Sequence, residues 1–62
     1  MGEELKKARK EKGMTQKQLA ALVGCDQREI SRWECGREPG AKMLKRLAKA
    51  LGVPMETLVA DE

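Results

Sequence analysis

Four polar side chains in the middle of the chain are spaced so that they would share one face of a helix. They are Gln27, Arg28, Ser31 and Arg32. At about 100° per residue this face spans about 140°, and Ile30 and Trp33 fall on the other side, where they can face protein. Glutamine and arginine side chains can each form two hydrogen bonds with one base edge. The face therefore indicates contact with a nucleic acid, and a solvated helix face, the commoner reason for a polar stripe, is the alternative.

The helix that carries this face has a clear start signal. Asp26 is a good N-cap residue, and Glu29 stands at the N3 position that follows it. Cys25 and Ile30 occupy the two positions of a hydrophobic staple. These signals predict a helix over residues 26–35.

The same signals stand immediately upstream. Thr15 and Gln18 have the spacing of a capping box, and Met14 precedes the cap as the first half of a staple. Gly24 ends this helix, because glycine adopts the left-handed C′ conformation without a Cβ penalty. Two capped helices separated by about three residues describe a helix-turn-helix. The apolar stripe predicted for the first of them consists of Leu19, Ala20, Leu22 and Val23.

This segment resembles the helix-turn-helix of the Cro and lambda-repressor-like family, also called the xenobiotic-response-element family. The resemblance rests on Thr15-Gln16, Leu19-Ala20, Val23-Gly24, Ile30-Ser31-Arg32-Trp33-Glu34, Gly36 and Leu47-Ala48-Lys49-Ala50-Leu51-Gly52-Val53. It covers nearly the whole chain. It implies an all-α, five-helix lambda-repressor-like DNA-binding domain in which helices 2 and 3 form the helix-turn-helix.

The resemblance also implies a function and a set of contacts. We expect sequence-specific binding of double-stranded DNA by a transcriptional regulator, a repressor in the leading interpretation, with helix 26–35 in the major groove. The bases would be contacted by Gln27, Arg28 and Arg32, with Ser31 as a lesser contact. The phosphate backbone would be contacted by Gln16, Arg37 and Lys42. Gly40 departs from the family pattern, where a serine or threonine would cap the fourth helix better.

Composition bounds this interpretation without deciding it. The 62 residues predict a single domain over residues 1–62, and its core must be aliphatic because Trp33 is the one aromatic residue. A net charge of +3 suits an anionic partner but does not establish one.

Other function classes find little support in the sequence. No apolar run approaches the roughly 20 residues of a membrane span, and the charged stretch after Met1 does not have the pattern of a signal peptide, so we expect a cytoplasmic protein. With no histidine and no CxxC motif, we expect neither a metal site nor a cofactor. Cys25 and Cys35 would lie about 15 Å apart along a helix, too far for a disulfide. No serine or cysteine has a nearby base, so an enzyme is not expected.

Two charges of opposite sign are predicted on apolar helix faces. The first helix is predicted over residues 2–12 with a thin apolar stripe of Met1, Leu5 and Ala8. Arg9 lies about 40° from Leu5 on this helix, and Glu34 follows Ile30 by one helical turn. These positions indicate an ion pair between Arg9 and Glu34, which the family resemblance also implies; two snorkelling surface residues are the alternative.

The last two helices are predicted over residues 41–51 and from Pro54 to about Ala60, followed by a frayed tail of Asp61 and Glu62. The fourth helix has an apolar stripe of Leu44, Leu47, Ala48 and Leu51. The fifth helix has more apolar side chains than one packed side requires: Met55, Leu58 and Val59. The resemblance implies two domains on a palindromic site, so we expect a weak homodimer through this surface. The alternative is that the three residues complete the monomer core.

A different class of function remains open at this stage. The same five-helix scaffold can serve an antitoxin or co-regulator that mainly binds another protein, since a fold alone does not decide function. The basic and glutamine residues at the groove-facing positions favour DNA.

Overall fold

The computed structural model describes residues 2–59, and over that range the chain forms five α-helices. They are α1 (Gly2–Glu11), α2 (Gln16–Val23), α3 (Gln27–Glu34), α4 (Ala41–Leu51) and α5 (Met55–Val59). The all-α class and the helix-turn-helix formed by helices 2 and 3 are thus confirmed. The predictions made for Met1, Ala60, Asp61 and Glu62 lie outside the described residues.

The start and end of α2 follow the sequence signals. The hydroxyl of Thr15 accepts a hydrogen bond from the backbone N–H of Gln18 at 3.0 Å, and the Gln18 side chain accepts one from the backbone N–H of Thr15 at 2.9 Å. Gly24 ends the helix in the left-handed conformation, with φ 81°, and its N–H donates to the carbonyl of Ala20. The predicted capping box and glycine C-cap are both present.

The cap of α3 forms without the return contact that completes the capping box of α2. The carboxylate of Asp26 accepts a hydrogen bond from the backbone N–H of Arg28 at 3.0 Å, which confirms Asp26 as the N-cap residue. The side chain of Glu29 instead points along the helix toward Arg32, with Oε2 3.8 Å from Nη1. Opposite charges three residues apart are neighbours on a helix surface, so this pair competes with the return contact of a capping box.

All five helices contribute to one aliphatic core. α2 packs on α3 and α4, whereas α1 packs on α3 and α5. Each helix supplies at least one large side chain that is less than 2% exposed, and these are Leu5, Leu19, Ile30, Leu47, Leu51 and Leu58. Complete burial of such a side chain contributes about 1.5–3 kcal/mol. This packing holds α3 by its apolar side and leaves its polar side exposed.

Leu22 was wrongly assigned to the apolar stripe of α2. Its side chain is 60% exposed. The buried arc of α2 runs from Leu19 through Val23 to Ala20, because α3 and α4 both pack on that side. Leu22 lies about 60° beyond Leu19 in the other direction, outside this arc.

Leu58 was wrongly assigned to a dimer surface. It is fully buried, since α5 is only five residues long and inserts this side chain between α1 and α4. Met55 and Val59 are 37% and 41% exposed. The apolar surface that α5 offers to a partner is therefore smaller than the sequence predicted.

The start of α1 approaches the end of α3 unusually closely. A Cβ atom on Gly2 would lie 2.3 Å from the carbonyl oxygen of Glu34 and 3.0 Å from that of Trp33. Only a residue without a side chain allows this approach. Gly2 therefore lets α1 pack against the end of the helix that carries the polar face.

Candidate nucleic-acid interface

The structure brings the predicted base-contacting residues together on the exposed side of α3. Gln27, Arg28 and Arg32 are exposed, and Ser31 between them is half-buried. Ile30, on the opposite side, is fully buried. The helix is thus held by its apolar residues with its donors and acceptors facing solvent.

Within residues 2–59, the two arginines of this face have only weak partners. Nη2 of Arg28 lies 3.6 Å from Oδ2 of Asp26, and the Arg28 side chain is 84% exposed. Nη1 of Arg32 lies 3.8 Å from Oε2 of Glu29, with the Arg32 side chain 64% exposed. Exposed ion pairs of this length contribute little, so both guanidinium groups can exchange these partners for an anionic ligand at small cost.

The N-cap carboxylate stabilises the start of this face. The backbone N–H of Arg28, which donates to Asp26, lowers the pKa of that carboxyl below its usual value, and the nearby charges of Arg28 and Arg32 act in the same direction. Asp26 therefore stays ionised at neutral pH, and its negative charge interacts favourably with the positive end of the α3 dipole at the start of the helix. By contrast, partial burial and the carboxylates of Glu29 and Asp26 raise the pKa of the Cys25 thiol.

Gln16, at the start of α2, lies beside the first residue of the polar face. Its side-chain Nε2 donates to Oε1 of Glu34 at 3.0 Å, and its Oε1 accepts from Nε2 of Gln27 at 3.5 Å. The residue that the sequence assigned to the phosphate backbone is therefore next to the first residue assigned to a base. Gln16 and Glu34 stand 18 positions apart in the sequence, so no local pattern predicted their contact.

The ion pair predicted between Arg9 and Glu34 is present and buried. Nε of Arg9 lies 2.6 Å from Oε2 of Glu34, Nη2 lies 3.3 Å from Oε1, and the two side chains are only 9% and 5% exposed. The remaining Nη1 of Arg9 donates to the carbonyl of Met14 at 2.8 Å, a contact that the sequence did not predict. Arg9 thus joins α1 to both the beginning of α2 and the end of α3.

Comparison with known proteins agrees with this geometry. The model of a helix-turn-helix family matches residues 5–58. The chain belongs to the Cro/C1-type helix-turn-helix family. Membership supports a role in DNA-binding transcriptional regulation.

One relative extends beyond this helix-turn-helix domain. The domain is 37% identical over 59 residues to the SPbeta prophage-derived uncharacterized HTH-type transcriptional regulator YonR of Bacillus subtilis (strain 168). The similarity covers 94% of the domain and 55% of that relative, so the chain spans little more than half of the relative's length.

The other two residues predicted to contact the phosphate backbone of DNA lie after α3. Arg37 is exposed just beyond the end of that helix, where its backbone N–H donates to the carbonyl of Arg32 at 3.1 Å. Lys42 is exposed in the first turn of α4. Gly40 caps α4 without a side-chain hydrogen bond, as its residue type predicted.

Neither a metal cluster nor a membrane helix occurs in the described part of the helix-turn-helix domain. Within residues 2–59, no three histidine, cysteine, aspartate or glutamate residues are grouped to hold a metal ion, and none of the helices is long and apolar enough to span a bilayer. Cys25 is half-buried and Cys35 is exposed, and both are free thiols.

Proposed function

We propose that this helix-turn-helix domain binds double-stranded DNA in a sequence-specific manner and acts within a transcriptional repressor. The observation that carries the proposal is the exposed face of α3, where Gln27, Arg28 and Arg32 have side chains available to a ligand. In this arrangement α3 enters the major groove with its N-terminal end first.

Each residue of the face has a distinct role in the proposal. Gln27 can accept from N6 and donate to N7 of an adenine, and Arg28 and Arg32 can each donate to O6 and N7 of a guanine. Ser31 is half-buried, which suits a lesser contact. A good bidentate contact gives about 1–3 kcal/mol of discrimination against the wrong base.

Contacts to the phosphate backbone set the register of α3 in the groove. Gln16 can hold a phosphate together with the backbone N–H groups at the start of α2, while Arg37 and Lys42 supply positive charge farther along the chain. These contacts act on every duplex alike, so they raise affinity without adding sequence preference.

We further propose that two copies bind a palindromic site. One recognition helix reads only a few base pairs, and half-sites one helical turn apart would add a second set of contacts. Met55 and Val59 are the exposed apolar residues of α5 that could meet across the two-fold axis. Because this surface is small, the interface should fall below the roughly 1,200 Å² of stable complexes and form mainly on DNA.

A second candidate function is protein binding by an antitoxin or co-regulator, and Leu22 is the observation that favours it. This exposed side chain lines a shallow cleft with Val23, Arg46 and Lys49, which would suit an acidic segment of a partner. A single exposed apolar residue is common on protein surfaces, however, so DNA remains the better supported ligand.

The experiment begins with selection of bound sequences from a random pool of duplex DNA. On the selected site, Arg28→Ala and Arg32→Ala should each lose about 1–3 kcal/mol and relax the preference at one base pair. Arg37→Ala is the matched control, since it removes a cation that is expected to contact only phosphate. It should weaken all duplexes alike and lower the steepness of the salt dependence by about 0.9 in the log–log slope.

The same assays can refute the proposal. No binding to any duplex at low salt would exclude DNA as the ligand. Equal, sequence-independent losses from all three arginine variants would refute the assignment of the groove-facing residues. One protein per selected site, with no palindrome, would refute the symmetric pair.

A further inference from the structure

Glu29 has a carboxylate beside the polar face of α3 that the helix cap does not use. It stands at N3, the position from which Gln18 returns a hydrogen bond to the cap of α2, but it makes no such bond. Within residues 2–59 its side chain makes one ion pair, with Arg32 at 3.8 Å, and no hydrogen bond. Asp26, by contrast, is committed to the backbone N–H of Arg28. The Glu29 carboxylate is therefore available to a ligand.

Glu29 lies at the edge of the polar face, directly beside Arg32. The two side chains are about 60° apart around the helix axis, and Glu29 is on the side nearer the buried Trp33. The Glu29 side chain is 43% exposed and that of Arg32 is 64% exposed. When α3 lies in the major groove, the carboxylate therefore enters the groove next to the base that Arg32 contacts.

A carboxylate in the major groove has few favourable partners. Phosphate oxygens repel it, and so do the base acceptors N7, O6 and O4. The amino groups of cytosine and adenine are the donors on base edges, and a carboxylate can accept a hydrogen bond from N4 of cytosine. The base pair that Glu29 faces must therefore present an amino group at the position that the carboxylate reaches.

A G·C pair presents the groups that match Arg32 and Glu29 side by side. Guanine has the acceptors N7 and O6, and the N4 amino group of cytosine is hydrogen-bonded to that O6, so N4 and O6 are about 3 Å apart. The 3.8 Å between Oε2 of Glu29 and Nη1 of Arg32 is similar to this spacing. In the reversed pair the guanidinium would face the amino group and the carboxylate would face acceptors. In an A·T pair the amino group lies between two acceptors, so neither orientation fits.

We propose that Glu29 is a specificity-determining residue that reads the cytosine of the base pair whose guanine Arg32 contacts. This inference rests on the proposed function. Arg32 alone recognises guanine on one strand. Glu29 adds a contact to the opposite strand and repels the acceptors that other base pairs present at that position.

The test removes the amino group of one cytosine and leaves its guanine in place. The duplex carries the site selected by the wild-type protein, and 2-pyrimidinone, which lacks the amino group, replaces the cytosine at the base pair assigned by Arg32→Ala. Wild-type protein should bind this duplex about 10-fold more weakly than the selected site, because the carboxylate loses its donor. Glu29→Ala should lose less than about twofold, since it has no carboxylate to leave unpaired. The weaker base pairing of the analogue affects both proteins alike.

Glu38→Ala is the matched control for the change in charge. Glu38 is an exposed carboxylate outside α3, and its removal raises the net charge as much as removal of Glu29 does. This variant should retain the loss of about 10-fold on the analogue duplex. Alanine is the strongest helix former, so Glu29→Ala keeps α3, and circular dichroism checks that each variant is folded.

The outcomes distinguish this inference from the function on which it rests. A loss on the analogue duplex in the wild type and in Glu38→Ala, but not in Glu29→Ala, supports the inference. Equal losses in the wild type and Glu29→Ala overturn it while DNA binding stands. So does a wild type that is insensitive to the analogue, or a selected site without a G·C pair at this position. Failure of the wild-type protein to bind any duplex overturns both.

Discussion

Removal of Arg9 should destabilise the domain more than removal of Arg9 and Glu34 together. Arg9→Met retains the length of the side chain but deletes the charge. It leaves Glu34 as a buried carboxylate whose remaining side-chain donor within residues 2–59 is Gln16. Loss of one partner of a buried pair costs about 3–5 kcal/mol, because the other charge stays away from water without compensation. Glu34→Leu should cost a similar amount, because it leaves the guanidinium of Arg9 unpaired.

The double variant should lose only a small part of the free energy of unfolding. Arg9→Met/Glu34→Leu has no buried charge, and apolar replacement of a buried pair is often neutral. It still removes the donor from the carbonyl of Met14, which Arg9 holds at 2.8 Å, and a lost hydrogen bond of this kind costs about 1–2 kcal/mol. We therefore expect the double variant to lose about 1–2 kcal/mol and the cycle to show a coupling energy of several kcal/mol.

Urea unfolding followed by fluorescence measures this cycle. Trp33 is the one aromatic residue, is buried in the wild type and stands next to Glu34, so its emission reports on the region that changes. A domain of this length has about 3–9 kcal/mol of stability, so the single variants should lie near their unfolding midpoint and are measured at low temperature with a stabilising osmolyte. A coupling energy near zero would refute the reasoning, since it would mean that the two charges do not depend on each other.

Three further predictions concern close packing, capping and surface exposure. Gly2→Ala should destabilise the domain by about 1–3 kcal/mol, because its methyl group meets the backbone at the end of α3. Gly40→Ser, whose Cβ has nothing within 4 Å, should stabilise the domain by about 0.4–1 kcal/mol. Equal effects of the two substitutions in urea unfolding would contradict the close approach at Gly2. A backbone N–H of α3 lowers the pKa of Asp26, so the unfolded chain binds a proton at this carboxylate more tightly than the folded chain does. The stability that the ionised cap contributes is therefore complete above the usual aspartate pKa. It is lost as the pH falls through the lowered pKa. Between about pH 5 and pH 2 the wild type should lose more stability than Asp26→Asn, in which the other carboxylates still titrate, and parallel losses in both would exclude Asp26 as the cause of the difference. Leu22→Ser should change the free energy of unfolding by less than about 0.5 kcal/mol, whereas Leu19→Ala should cost about 2–5 kcal/mol, and a large effect at Leu22 would contradict its exposure.

The local elements could be predicted because the signals that form them act within one or two turns. The Thr15–Gln18 capping box, the left-handed Gly24 and the Asp26 cap all depend on hydrogen bonds between residues a few positions apart. Helical periodicity then separates the polar and apolar sides of α3 without reference to any other element. It also placed Arg9 and Glu34 on apolar helix faces, and this placement and the family resemblance together predicted their pair.

The tertiary structure decided the features that depend on which helices pack together. Leu22 and Leu58 are both apolar at plausible helical spacing, yet one is exposed and the other buried, because α3 and α4 cover only one side of α2 and because α5 inserts a single side chain. The contact between Gln16 and Glu34 joins helices that are distant in sequence, so no local pattern contains it. Periodicity along one helix gives the angle of a side chain, but its partner exists only once another helix has been placed against it.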